Sequence, residues 1–359
     1  MNKTENKEAS TSALFDPSML MLRKARDGLY ESFYFRGNSS DDTQAFLLKH
    51  NFLRRHGERG VRVEITVVAF NRRTGVVHTA QDFEELSPTA FSHQTRGQQW
   101  DAMSMHLASG TFFEITREKV RGRLYGAEGV VTWEFDLTRQ NEVLYHFPHS
   151  RLYQLPLPRK KVLTRDISVQ YQGALVFTDF AAEGFFKGEV SHNWGTEHAR
   201  EYAYAACSIF PNESDVYFAG FTAQLALVSG LVKLPRLSFG ALKYEGKWLY
   251  FNALNRSYQQ EVMGLSDYQW SVILCNDDYR LEVGVDGFNP RIEPWVALNY
   301  EQPSGRRVVV KSTQFAHGHL KLFDSKSGTL IKECRSEAFS LETLQPDSVP
   351  LSRGGIGKL

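Results

Sequence analysis

The dominant pattern along this chain is a two-residue alternation of apolar and polar side chains in short runs, broken by Gly, Asn, Asp and Pro. That period belongs to strands with two distinct faces, whereas an amphipathic helix repeats every 3.6 residues. Residues 30–36 and 45–53 read as strands. Residues 61–71 alternate through Val61, Val63, Ile65 and Val67, and Arg73-Thr74-Gly75 behind them is a turn signal. The rhythm continues at 110–115, 119–125 and 130–137. It resumes at 167–171 and 174–177, then at 202–209, 216–227, 237–244, 247–254, 269–275, 280–285, 295–300, 307–311 and 317–323. Only 15–26 suggests a helix, and a short one. Many short strands with turn signals between them predict an all-β chain of antiparallel meanders, a barrel or sandwich.

One stretch interrupts the alternation. Pro148, Pro156 and Pro158, followed by Arg159-Lys160-Lys161, do not suit a central strand. The expected division is a polar tail and short helix over 1–27, a first β domain over 28–160, a second over 161–340, and a Pro- and Gly-punctuated tail over 341–359. The segments 120–126 and 281–287 share a rhythm, which suggests a duplicated β unit.

Composition narrows the function classes. The chain has 359 residues, enough for two domains, and 25 Phe with 15 Tyr can fill cores or line an apolar cavity. Its 42 basic and 41 acidic residues leave a formal charge of +1, so there is no field to hold nucleic acid. Cys207, Cys275 and Cys334 are odd in number and far apart, which fits a reducing compartment better than a disulfide framework. The first dozen residues lack the apolar stretch of a secretion signal, and no run approaches the roughly 20 apolar residues of a membrane span. A soluble cytoplasmic protein with no membrane span is expected, and a homo-oligomer is compatible with this composition.

Three landmarks carry a family resemblance: residues 30–36, residues 151–161, and His192-Asn193-Trp194-Gly195 with Glu197-His198-Ala199 behind it. Together they resemble the lipocalin-like superfamily of carotenoid 1,2-hydratase, tocopherol cyclase, AttH-type proteins and several fungal cyclases, over roughly residues 28–340. The resemblance implies two successive lipocalin-like β domains (a double calycin) with an apolar cavity in or between them. It also implies large hydrophobic substrates, isoprenoid or polyketide-like, and redox-neutral chemistry: water addition or ring closure. The His-Asn before the Trp and the Glu-His pair after it depart from the carotenoid hydratases proper, so the fold transfers more readily than any one reaction.

The box at 188–202 is the densest patch of reactive side chains. On a strand, His192 and Trp194 share one face and Asn193 takes the other, while Gly195 ends or bulges the strand. Tyr202 and Tyr204 share a face of the next strand, opposite Ala203 and Ala205, whose small side chains leave room for a ligand or for close sheet packing. Aromatic walls stabilise a carbocation by up to about 2 kcal/mol per contact when desolvated. A carboxyl group in such a wall becomes a better proton donor to an alkene. Glu197 is the first candidate acid, with His192 or His198 to position water or remove a proton. Asn193, Trp194, Tyr202 and Tyr204 are candidate substrate contacts, and so is Glu31, which faces away from Arg36 on its strand. The competing reading is structural: the Trp plugs a barrel end while His and Asn cap strand amides.

Other motifs add little. His192, Glu197 and His198 miss the spacing of a helical zinc motif, and His317 and His319 share a strand face without an obvious third ligand. Neither a metal nor a cofactor is expected. Asp277-Asp278 reads as a hairpin turn, and the glycines of 354–358 lack the strand–turn–helix of a phosphate loop. The leading expectation is a cofactor-independent hydratase or cyclase acting on a hydrophobic small molecule. The alternative is a non-catalytic lipid or isoprenoid carrier; a weaker one is an interaction module using residues 148–161.

Overall fold

The computed structural model describes residues 21–23, 27–127, 129–227, 232–287 and 294–345. The alternating runs become two antiparallel sheets. The first contains β1 (Leu29–Ser39), β2 (Gln44–Arg54), β3 (Val61–Asn71), β4 (Val76–Leu86), β5 (Met103–His106), β6 (Phe112–Ile115), β7 (Lys119–Gly126), β8 (Gly129–Arg139), β9 (Leu144–Tyr145), β10 (Lys160–Val176) and β11 (Ala181–Gly195). The second contains β12 (Glu201–Cys207), β13 (Tyr217–Leu227), β14 (Val232–Tyr244), β15 (Lys247–Phe251), β16 (Glu261–Leu265), β17 (Gln269–Cys275), β18 (Tyr279–Asp286), β19 (Val296–Glu301), β20 (Arg307–Asp324) and β21 (Leu330–Leu344).

The first sheet is ordered β4-β3-β2-β1-β11-β10-β8-β7-β6-β5, with β9 beside β10; the second is ordered β15-β14-β13-β12-β21-β20-β18-β17-β16, with β19 beside β20. The orders correspond from β4 and β15 at one edge, through β1 with β12 and β11 with β21, to β6 and β16, and the edge strand β5 alone has no counterpart, so the chain is two successive lipocalin-like β units of one topology. The likeness of 120–126 to 281–287 does not connect equivalent strands: it falls on β7 and β18, whereas β7 corresponds to β17.

Period two explains where each face goes. On β1, Phe33 and Phe35 point into the first core with Phe46, Phe52, Phe113 and Phe135. Each such fully buried side chain contributes roughly 1.5–3 kcal/mol. Tyr34, on the opposite face, joins Leu47, Val68 and Phe70 against Tyr202, Tyr217, Val310 and Phe315 of the second sheet. On β12, Ala203 and Ala205 pack into the second core beside Phe218, Trp270 and Leu341. Their small side chains therefore serve close packing rather than a ligand. The central strands of both units are covered on both faces.

Three segments differ from the sequence expectation. The proline-rich stretch is not where the sheets change over: β10 begins at Lys160 and pairs with β8, β9 and β11, so the first sheet continues to Gly195 and the second begins at Glu201. The His192-Asn193-Trp194-Gly195 part of the box therefore ends the last strand of the first sheet, Glu197 and His198 lie in the connection, and Tyr202 is on the first strand of the second sheet. Residues 341–344 are strand, not tail, because β21 pairs with β12 through Leu344. A short helix, α1 (Pro88–Thr95), follows Ser87, whose hydroxyl accepts from the Ala90 N–H at 3.2 Å. The Ser-Pro pair is the usual cap and first-turn signal. The helix expected over 15–26 lies outside the described residues except for Met21–Arg23, which form one 3-10 turn. The tail glycines at 354–358 lie outside them too.

Candidate functional site

Strand β11 divides the box between two environments. Tyr30 to Ser39 of β1 and Lys160 to Thr164 of β10 pair on either side of it, with Glu31 opposite Trp194 and Phe33 opposite His192. His192, Trp194 and Glu31 therefore face one way, into the first unit. The polar atoms of Glu31 and His192 form a chain that runs to Arg165. The Glu31 carboxylate accepts from the backbone N–H of Met21 and of Leu22, both at 2.9 Å, and lies 2.8 Å from His192 Nε2. Arg165 Nη2 is 2.7 Å from His192 Nδ1. A guanidinium can only donate, so Nδ1 accepts and Nε2 carries the hydrogen given to Glu31. The ring of His192 stacks on Phe33 at 4.4 Å and lies 4.5 Å from Trp194. Glu31 and His192 are both 0% exposed. Burial raises the Glu31 carboxyl to about 7, against the two backbone donors and Arg165. Burial, then the Arg165 charge, holds His192 well below its usual value, so the imidazole is neutral.

Asn193 faces the other way, into a cavity of about 250 Å³ between the two sheets. Its walls are apolar, with Phe147, Leu152, Phe221, Leu237 and Phe239 prominent. Its polar part gathers Asn193, Glu197, His198, Tyr202 and Tyr204 with Arg36, Lys160, Ser191 and Glu342. Two carboxylates anchor it. Glu189 accepts from Tyr204 at 3.0 Å, Tyr217 at 2.5 Å and Ser191 at 2.9 Å, and Arg36 Nε is 3.4 Å away. Glu342, opposite Tyr204 across the β12–β21 ladder, accepts from the Tyr202 hydroxyl and, at 3.3 Å, from Tyr300. Burial and then the Glu342 charge push the Tyr202 phenol well above its ordinary value.

Three polar ends remain for a ligand. Asn193 Oδ1 and His198 Nδ1 are buried without a hydrogen-bond partner among the described residues. The Lys160 ammonium rests 3.8 Å from the Tyr202 ring centroid, a cation–π contact. Burial lowers Lys160 to about 8, with Glu342 opposing. His198 stacks on Tyr30 at 4.2 Å, and burial with the Lys160 and Lys49 charges keeps it neutral. Glu197 sits at the cavity edge, ion-paired with Arg159 and partly exposed.

The structure thus brings five of the eight sequence-predicted residues to one cavity: Asn193, Glu197, His198, Tyr202 and Tyr204. Glu31, His192 and Trp194 lie across the sheet from it. Sequence reasoning missed Lys160, read as part of a basic run, and Glu342, read as tail. The only local signal for Glu342 is its place in the alternation Ala338, Ser340, Glu342, Leu344. Among the described residues, no three His, Cys, Asp or Glu gather where a metal ion could sit, and no helix is long and apolar enough to cross a membrane.

No protein-family profile matches the chain, and no curated protein sequence matches it. Solved structures do. An AttH-like protein of Nitrosomonas europaea aligns with a TM-score of 0.51 at 11% identity, over 89% of this chain and 92% of that one. Kievitone hydratase of Nectria haematococca aligns with a TM-score of 0.47 at 8% identity, over 93% of this chain and 94% of that one. The first of these alignments shows that the two-unit lipocalin-like fold is shared; at this identity it extends to the fold alone.

Proposed function

We propose that the cavity between the sheets takes up an apolar small molecule and converts it without redox change, by adding water or closing a ring. The observation that carries this reading is the meeting of apolar walls with Lys160, Tyr202, His198 and Glu342 at one end of a single cavity. Hydration needs a proton donor for carbon and a held water. An ammonium that titrates near 8 gives up its proton at lower cost than a solvated lysine. Asn193 Oδ1 is an acceptor, and Nδ1 of neutral His198 donates or accepts according to its tautomer, so the pair can hold a water or a substrate hydroxyl. The rings of Tyr202, Phe221 and Phe239 favour positive charge developing on the substrate. Glu197, held by Arg159, shapes the rim.

Lys160→Met keeps the length of the side chain and removes the proton. It is expected to lower kcat by about 10²-fold or more, the range of general acid catalysis, on whichever isoprenoid or polyketide-like alkene the wild type converts. Products are read by mass spectrometry as a gain of water or as an isomer. The wild-type rate should fall as pH rises through about 8, where Lys160 loses its proton. A ligand that co-purifies chemically unchanged, with no turnover of any tested alkene, would leave a carrier and remove the enzyme. Full activity in Lys160→Met would remove this residue assignment.

A further inference from the structure

We propose that the mouth of this cavity docks on an anionic lipid surface, from which an apolar ligand enters; the inference rests on the reading that the cavity takes such a ligand. The segment from Ser150 to Lys161 makes one side of the mouth: Leu152, Leu157, Pro158, Arg159 and Lys160 line it. Leu155 is 52% exposed and Leu157 51%, and Leu254, on the same cavity, is 45% exposed. Large apolar side chains are individually common on surfaces, but these surround an opening into an apolar interior.

Charge selects the partner. Residues 150–161 hold Arg151, Arg159, Lys160 and Lys161 and no acidic residue, although the whole chain is nearly neutral. Arg151 is exposed. Lys161 turns inward, donating to the Leu155 carbonyl at 2.9 Å and to the Pro158 carbonyl, which fastens the turn that carries the two leucines. Arg159 pairs with Glu197 and Lys160 lies in the cavity against Tyr202, so Arg151 is the exposed cation beside the two leucines, and it favours a headgroup layer of net negative charge over acyl chains.

The test is flotation with vesicles of phosphatidylcholine alone and of phosphatidylcholine with 30% phosphatidylglycerol. The wild type is expected to float with the anionic vesicles about fivefold more than with the neutral ones, the worth of one cation near the surface. Arg151→Glu combined with Leu155→Asp, neither a cavity-lining residue, should reduce flotation to background. Uptake of the apolar fluorophore N-phenyl-1-naphthylamine, measured without lipid, should be unchanged in that variant, which also shows that it is folded. Wild-type protein that takes up the fluorophore but ignores anionic vesicles overturns the docking and leaves the cavity reading intact. Equal flotation of wild type and variant also overturns it. Flotation without any fluorophore uptake removes the cavity reading, and with it the purpose of the docking.

Discussion

Replacing His192 with alanine is expected to destabilise the protein by about 3–5 kcal/mol, the cost of removing one partner from a buried charged network. Glu31 and His192 are 0% exposed, and Arg165 is buried. Without the imidazole, Glu31 loses one of its three donors and Arg165 loses the Nδ1 acceptor. The vacated space also strips contacts from Phe33 and Trp194. Glu31→Gln tests the same network from the other end. All three of its contacts are donors, and an amide sets its own NH₂ against at least one of them, so a smaller loss is expected. Replacing both residues should cost less than the two losses added together, because they belong to one network. Urea unfolding followed by tryptophan fluorescence reads all three variants, with Trp194 adjacent to the site. A His192→Ala midpoint within about 1 kcal/mol of wild type would show that the network carries no stability.

The local half of this architecture was legible in the sequence and the long-range half was not. Alternation placed His192 with Trp194 and Asn193 opposite, and separated the tyrosines of β12 from its alanines, because a strand admits only two faces. It could not say what each face meets. Almost every residue of β1 and all of β12 are buried, with a core on one side and the other unit on the other. The box therefore read as one cluster although a sheet passes through it. Glu31 reaches His192 only because β11 returns to pair with β1, and Glu342 reaches Tyr202 only because β21 does the same with β12. Neither pairing leaves a local trace. The prolines before Lys160 read as a domain boundary for the same reason: nothing nearby reports that β10 rejoins the sheet behind them.

Mild acid is expected to weaken the fold, and the buried histidines decide the sign. Burial lowers His50 and His146 to about 3 each. A histidine depressed in the folded state contributes stability that is present above its unfolded value, near 6.5, and lost as pH falls towards the folded value. Between pH 7 and pH 5 the unfolded chain takes up these protons and the folded chain does not. That costs about 2 kcal/mol for each of the two, at 1.36 kcal/mol per pH unit of separation. His192 and His198 shift in the same direction and add to the loss. Glu31 opposes it. A carboxyl raised to about 7 is unfavourable when ionised, so it returns about 2 kcal/mol over the same interval. Lys49 and Lys160, lowered to about 8, are protonated throughout and change little. Asp42, raised to about 6 by burial, and Asp166, raised in the same direction, return a further part, while the lowered His319 adds to the loss. His50, His146, His192 and His198 outweigh the three carboxyls and leave a net fall. His50 isolates the effect, because neither ring nitrogen has a partner among the described residues and its ring lies 4.2 Å from Phe113. His50→Phe therefore removes no protein hydrogen bond. It should be neutral or stabilising at pH 7, and at pH 5 it should exceed wild type by about 2 kcal/mol more than it does at pH 7. Urea midpoints for both proteins at pH 7, 6 and 5 measure the difference. Parallel curves would mean that His50 is already protonated in the native state or that its neutral ring costs nothing to keep, and either would contradict an imidazole held neutral by burial alone.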